Sequence, residues 1–134
     1  MASFESEVHD VKAPCRKVFD FLSDFRNFEN LMPEQIQDWQ ATETTCSFRI
    51  QGVANLHMRI AGKSACRNIH IVSDGANPVE FSLDIFLNKT DDETCRVSVL
   101  FDAELSPFMK MMASRPLQSL VEMLSEKIEV HFSS

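Results

Sequence analysis

The residues of this 134-residue chain that could do acid–base chemistry lie near its start, in the stretch 4–12, which is predicted to be a strand. His9 shares the parity of Val11, so a neutral imidazole could point into a cavity and hydrogen-bond a ligand or act as a base. Glu5 and Glu7 share that face, and paired carboxylates do acid–base work when their pKa values are split. The alternative is a half-wet strand on which the histidine is satisfied locally and both carboxylates are solvated.

Two further histidines, His57 and His70, sit on consecutive predicted strands. They would face each other if the turn between them centres on residues 63–64. They lie on the same face of the predicted strands as Arg59 rather than on the apolar face, and the sequence offers no third metal ligand. We therefore expect surface histidines and no metal site.

The cysteines are widely spaced and form no C-x-x-C pair, which argues against a disulfide framework. Two of them, Cys46 and Cys95, fall on the apolar parity of predicted strands, where a free cysteine acts as a small hydrophobic residue. Nothing near Cys15 or Cys66 in the sequence would lower a thiol pKa. We therefore expect free thiols and no catalytic cysteine.

Charge and length limit the class of protein. The net charge of −7 and the scattered positions of the 13 basic residues argue against a nucleic-acid partner and against an anionic membrane surface, since phosphate binding needs clustered cations. The acidic opening residues have no apolar core, and no apolar run approaches the roughly 18 residues of a membrane span. We therefore expect no signal peptide, no stable membrane insertion and a cytoplasmic location. The length predicts a single domain over residues 1–134.

The elements that must position these residues follow from periodicity. Pro14 is expected at the first position of a helix, and Asp24 is expected to cap a second short helix that Pro33 stops. After this pair the apolar period changes to two, which predicts six strands joined in an antiparallel meander. These predicted strands cover residues 36–42, 46–51, 56–62, 68–73, 79–88 and 94–105.

A long amphipathic helix is predicted over Pro116–Phe132, with its apolar residues in one wedge of the helical wheel. His131 falls near its end, where a histidine favours the helix C-terminus electrostatically. The apolar residues of the preceding segment lie on the opposite side of the same wheel. We therefore predict a short helix from Pro107, capped by Ser106, and then a break or kink near Arg115.

A family resemblance rests on two strings, Val11-Lys12-Ala13-Pro14 at the end of the first strand and the following helix Lys17-Val18-Phe19-Asp20-Phe21-Leu22-Ser23-Asp24. With the meander and the C-terminal helix, they resemble the START-like, Bet v 1-like superfamily, which includes polyketide cyclases and lipid-transfer proteins. The resemblance implies an α+β helix-grip fold. In that fold a curved seven-stranded antiparallel sheet wraps a long C-terminal helix, two short helices follow strand 1, and an apolar cavity lies between sheet and helix.

The expected cavity lining consists of the residues on the inward faces of the strands and on the apolar face of the last helix. His9 is its one polar member. Its apolar members are Phe48, Ile50, Met58, Ile60, Ile71, Phe81, Leu83, Ile85, Val97, Val99, Phe101, Leu117, Val121 and Leu124. Such a lining can hold an apolar molecule by burial but offers little to stabilise charge in a transition state. We therefore expect binding of a lipid, isoprenoid or aromatic ring system, without catalysis or cofactor.

Two other functions remain open. One is a cyclase or dehydratase that uses His9 with a cavity carboxylate. The other is a ligand-free interaction module whose interior is filled by side chains, and an enclosed pocket of a few hundred Å³ would argue against it. The sequence also predicts a homodimer, because several apolar residues are expected to face solvent. These are Val72, Phe86 and Leu100 on the outward faces of strands, together with Met111 and Met112.

Overall fold

The computed structural model describes residues 2–75, 77 and 79–133, so that Met1, Ala76, Pro78 and Ser134 lie outside it. The strands of the described part are β1 (Ala2–Glu5), β2 (His9–Val11), β3 (Ile36–Ala41), β4 (Thr45–Ile50), β5 (Ala54–Ser64), β6 (Asn68–Ser73), β7 (Phe81–Asp91) and β8 (Thr94–Ala103). The helices are α1 (Cys15–Leu22), α2 (Pro107–His131) and two 3-10 turns, Phe25–Asn27 and Glu29–Leu31.

One antiparallel sheet runs in the order β1-β8-β7-β6-β5-β4-β3, and β2 also pairs with β8. The predicted helix-grip architecture of a sheet packed on a long C-terminal helix is confirmed. The predicted single strand over residues 4–12 is in fact two strands that share one position at the sheet edge. Ser6 separates them: its backbone N–H donates to Val99 O at 2.9 Å, and its Oγ accepts the Val99 N–H at 2.9 Å. The Ser6 hydroxyl thus takes the place of a backbone carbonyl as the acceptor for the Val99 N–H, which lets the strand bend here.

The two side-chain caps predicted from the sequence, Asp24 and Ser106, are both present. Asp24 accepts the Arg26 backbone N–H at 2.9 Å, and the hydrogen bond from the Arg26 side chain lowers the pKa of that carboxyl. Ser106 Oγ accepts the Met109 N–H at 3.2 Å, as predicted for the start of α2. Pro14 directly precedes α1 rather than opening it. The second predicted helix is present with its Asp24 cap, but as two 3-10 helices of three residues each rather than as one helix.

A bulge in β3 decides the orientation of the sole tryptophan. The pairing of β3 with β4 shifts register within residues 37–40, and Asp38 adopts a φ of 57°. Asp38 therefore takes the extra position of the bulge in a left-handed conformation. As a result Trp39 packs inward, stacked 6.1 Å from Phe28 and 5.3 Å from Phe48 between ring centroids.

The helix α2 is continuous from Pro107 to His131, so the predicted break near Arg115 is wrong. Pro116 has no N–H to donate to the carbonyl of Met112 four residues earlier. Met112 is 46% exposed, so the interrupted hydrogen bond lies on the solvent side of α2, and the helix continues past it. Three apolar residues before Pro116 are exposed to solvent, namely Phe108, Met111 and Met112.

A disulfide joins Cys15 at the start of α1 to Cys95 at the start of β8, with the two Cα atoms 4.9 Å apart. The expectation that Cys95 is a free thiol is therefore wrong. The two cysteines are 80 residues apart in the chain, and only the packing of α1 beside β8 brings them together. Cys46 and Cys66 are free. Among the described residues, no helix has both the length and the apolar character needed to cross a membrane.

Candidate functional site

An apolar crevice lies between the first half of α2 and the adjoining end of the sheet. Its floor is buried, whereas Val53, Leu105 and Met109 at its mouth are half-buried. Every lining residue is apolar. They are Ile50, Val53, Ala54, Leu56, Val79, Phe101, Ala103, Leu105, Met109, Ala113 and Leu117.

The crevice is nearly closed. Its volume is about 20 Å³, which is room for a single water molecule. The rest of the interior between sheet and α2 is packed with side chains, including Val121 and Leu124 at 0% exposure. In this conformation a drug-sized ligand could enter only if α2 moved away from the sheet.

The structure brings three of the predicted lining residues, Ile50, Phe101 and Leu117, to the crevice. The others lie in the continuous packed core, with only Ile60 half-buried. The core members are Phe48, Met58, Ile71, Phe81, Leu83, Ile85, Val97, Val99, Val121 and Leu124. The predicted residues therefore share one interior, but most of them lie deeper than the crevice.

Sequence analysis missed the crevice residues contributed by α2, Met109 and Ala113. The signal was present, because Met109, Ala113 and Leu117 follow at intervals of four and form one stripe of a helix. Placing a break near Arg115 hid this continuity. Val53, Val79 and Leu105 are half-buried and lie outside the observed strands. The period of two placed Val79 and Leu105 on the inward faces of the predicted strands 79–88 and 94–105, but neither was included in the predicted lining. Val53 lies in a turn, where a period of two gives no guidance.

The second half of α2 is fastened to the rest of the fold at several points. Lys127 Nζ donates to Met32 O at 3.1 Å, and the ring of His131 stacks on Phe21 at 4.3 Å. His131 thus contacts α1 rather than acting only on its own helix end. In contrast, within the described residues no side chain of 107–116 makes a hydrogen bond or ion pair to the sheet.

The structure places His9 in a surface groove between β2 and α2, not among the crevice residues. Its Nδ1 lies 2.7 Å from Glu129 Oε1, and the groove of about 260 Å³ is also lined by Glu7, Glu122 and Glu126. Glu5, the other carboxylate considered with His9, is exposed on β1. A carboxylate can orient this imidazole, but none of the described residues that line this groove is apolar, so an apolar substrate gains little burial there.

The prediction that His57 and His70 could face each other is not met, because β5 extends to Ser64 and His70 pairs with Gly62. His70 instead bonds Asp84 across β6 and β7, with Nδ1 and Oδ1 2.7 Å apart. Within the described part of the chain, no group of three or more His, Cys, Asp or Glu side chains could hold a metal ion.

The free thiol nearest the core does not support nucleophilic chemistry. Cys46 is 6% exposed, and burial raises its pKa far above the ordinary thiol value. The thiol therefore stays protonated at neutral pH, whereas the nucleophile in cysteine chemistry is the thiolate.

Comparison with known proteins identifies the fold. No protein-family description and no curated protein sequence matches the chain. Its structure is similar to a START superfamily protein from Mycobacterium smegmatis, with a TM-score of 0.69, 11% identity and coverage of 97% of this chain and 96% of that one. The protein TTHA0849 from Thermus thermophilus gives a TM-score of 0.78 at 13% identity, covering 99% of this chain and 100% of that one.

A third similar structure is the di-domain ARO/CYC BexL from the BE-7585A biosynthetic pathway, at a TM-score of 0.68 and 17% identity. All of this chain aligns with 48% of that one. At these identities the likeness concerns the fold alone, and that fold is the helix grip, which this chain shares with these three proteins.

Proposed function

We propose that this chain, with its START-like helix-grip fold, binds a small apolar ligand such as a lipid, isoprenoid or aromatic polyketide-like molecule. The observation that carries the proposal is the uninterrupted apolar lining of the crevice beneath the first half of α2. Ligand sites are mostly apolar and lie where elements meet, but they enclose about 300–1,000 Å³. The crevice must therefore open to admit a ligand.

Pro116 is the hinge of this opening. It removes one hydrogen bond from the middle of α2, between a second half fastened by Lys127 and His131 and a first half that only packs on the sheet. A helix bends most readily where its hydrogen-bond ladder is interrupted. Movement of residues 107–116 about this point would widen the crevice while the contacts of the second half stay in place.

Replacing Pro116 with alanine is expected to stabilise the protein and slow ligand entry. Alanine restores the hydrogen bond to Met112 and is favoured over proline inside a helix, so the free energy of unfolding should rise by about 1–3 kcal/mol. If opening then costs about 1 kcal/mol more, association of the neutral dye N-phenyl-1-naphthylamine should slow about fivefold. Chemical denaturation and stopped-flow fluorescence measure the two effects.

The matched control for the hinge is Ser114→Ala, which leaves Pro116 in place. We expect this variant to change stability by only a few tenths of a kcal/mol and to bind the dye at the wild-type rate. Dye association that is as fast in Pro116→Ala as in the wild type would exclude Pro116 as the hinge.

The lining also bears on catalysis. Among the described residues of the crevice, no side chain carries a hydrogen-bonding group that could stabilise developing charge. The runner-up, a cyclase or dehydratase using His9, would have to act in the groove next to Glu129 instead. We therefore propose a carrier or sensor rather than an enzyme.

A second candidate function is the ligand-free interaction module. The packed interior supports it, because a core filled by side chains is what such a module would have. It differs from the carrier in one respect that can be measured: the crevice of a module takes up no apolar molecule.

We further propose a homodimer formed through the outer face of the sheet. Phe86 is 41% exposed there, and Val72 and Leu100 are partly exposed on neighbouring strands. Apolar residues grouped on one face are typical of an interface. Light scattering at micromolar concentration should give twice the monomer mass, and Phe86→Lys should return the monomer. A monomer mass for the wild type would contradict the dimer.

The composition leads us to place the protein in the cytoplasm. The Cys15–Cys95 disulfide argues in the other direction, because disulfides persist mainly in oxidising compartments. The cytoplasmic proposal therefore requires that this pair be reduced in the cell.

A further inference from the structure

We propose that the first half of α2 docks onto an anionic lipid surface through one exposed side, here called the docking face. Its apolar members are large and turned to solvent, with Phe108 65%, Met111 76% and Met112 46% exposed. Together with Arg115 they follow the i, i+3, i+4 and i+7 spacing of one side of a helix. The fold does not use this side, because Ala113 on the opposite side packs into the crevice.

The net charge of the whole chain predicts no affinity for an anionic membrane surface, but the charge of this part of the chain has the opposite sign. Residues 105–121 contain Lys110 and Arg115 and no acidic residue, whereas the whole chain carries −7. Both cations are exposed, and neither forms an ion pair within the described residues. Glu104 and Glu122 bound the stretch on either side. Cations beside an exposed apolar side are complementary to a negatively charged headgroup layer over hydrocarbon.

The size and shape of the docking face favour a lipid surface over a second protein. A large side chain buries about 150–250 Å² at most, so three fall short of the roughly 800 Å² per partner of a stable interface. A protein partner would also need a matching groove for a convex helix. A lipid surface needs neither, because helix binding there scales with buried apolar area plus attraction between basic residues and anionic lipids.

Docking of this kind would bring the crevice to the lipid. Met109 and Ala113, on the same turns of α2, line the crevice from the other side of the helix. The docking itself does not depend on the crevice taking a ligand, so it can be tested separately from the proposed function.

Co-sedimentation with phosphatidylcholine vesicles, with and without phosphatidylglycerol, tests the docking face. We expect the wild type to bind the anionic vesicles at least about tenfold more tightly than the neutral ones, and high salt to weaken this binding. Phe108→Gln/Met111→Gln and, separately, Arg115→Glu should each weaken it at least about tenfold. These side chains are exposed, so circular dichroism melting should show an unchanged fold.

The matched control is Val130→Gln, which removes an apolar residue 61% exposed at the other end of the same helix. We expect it to bind vesicles like the wild type. The proposal is overturned if the wild type binds no vesicles, if it prefers neutral ones, or if Val130→Gln loses as much binding as the Phe108/Met111 variant. It is also overturned if light scattering shows a dimer that only the Phe108/Met111 variant dissociates, since a second copy would then cover the face.

Discussion

Replacing Cys15 with alanine is expected to lower the free energy of unfolding by about 4 kcal/mol, because the Cys15–Cys95 disulfide closes a loop of about 80 residues in the unfolded chain. Dithiothreitol should lower the melting temperature of the wild type to about that of Cys15→Ala. It should leave the melting temperature of Cys15→Ala unchanged, since no disulfide remains to be reduced. Thermal unfolding followed by the fluorescence of Trp39, the sole tryptophan, measures both effects.

The matched control for the disulfide is Cys66→Ala, because Cys66 is a free thiol in the turn between β5 and β6. This change should alter stability by a few tenths of a kcal/mol at most. In the unfolded, unreduced wild type, thiol titration should count the two free cysteines. Four titrated thiols, together with no effect of dithiothreitol, would contradict the disulfide.

Truncating Leu124 to alanine is expected to cost about 2–5 kcal/mol of stability, toward the upper end of that range. Leu124 is 0% exposed and lies in the packed interior rather than at the crevice, so its removal leaves a cavity that α2 cannot fill without losing other contacts. Urea denaturation should show a lower midpoint with an unchanged slope.

Val130→Ala is the matched control for Leu124→Ala, since Val130 is on the same helix but exposed. Its effect on stability should stay within about 0.5 kcal/mol. An unfolding midpoint of Leu124→Ala equal to that of the wild type would mean that closure of the sheet on α2 does not dominate stability.

Most of the fold could be predicted because its signals are local. The alternation over β7 and β8 specified their inward faces, and the start of β6 at Asn68 and the cap at Ser106 were predicted to the residue. Ser6 and Asp38 were different. Each departs from regular pairing through a contact or a backbone angle that an alternating pattern does not encode, so the bend between β1 and β2 and the direction of Trp39 could not be predicted.

The candidate site was harder to predict for two physical reasons. The alternation along a strand distinguishes residues that face the interior from those that face solvent, but it does not distinguish the packed core from the crevice. Val99 and Phe101 were therefore both predicted to line the cavity, although only Phe101 lines the crevice. The sequence analysis also overestimated how strongly Pro116 would interrupt the helix. Pro116 interrupts one hydrogen bond without ending the helix, so the stripe from Met109 to Leu117 is continuous.

Ligand binding by the crevice is tested most directly by thermal shift with a panel of lipids, isoprenoids and aromatic ring compounds. A ligand present at 100 times its Kd should stabilise the wild type by about 2.7 kcal/mol. Ala113→Leu, which overfills the crevice at a residue 1% exposed, should cost about 1–3 kcal/mol of stability, still fold, and lose this shift. If no compound shifts the wild type, or if Ala113→Leu is stabilised as much as the wild type, the crevice is not a ligand site.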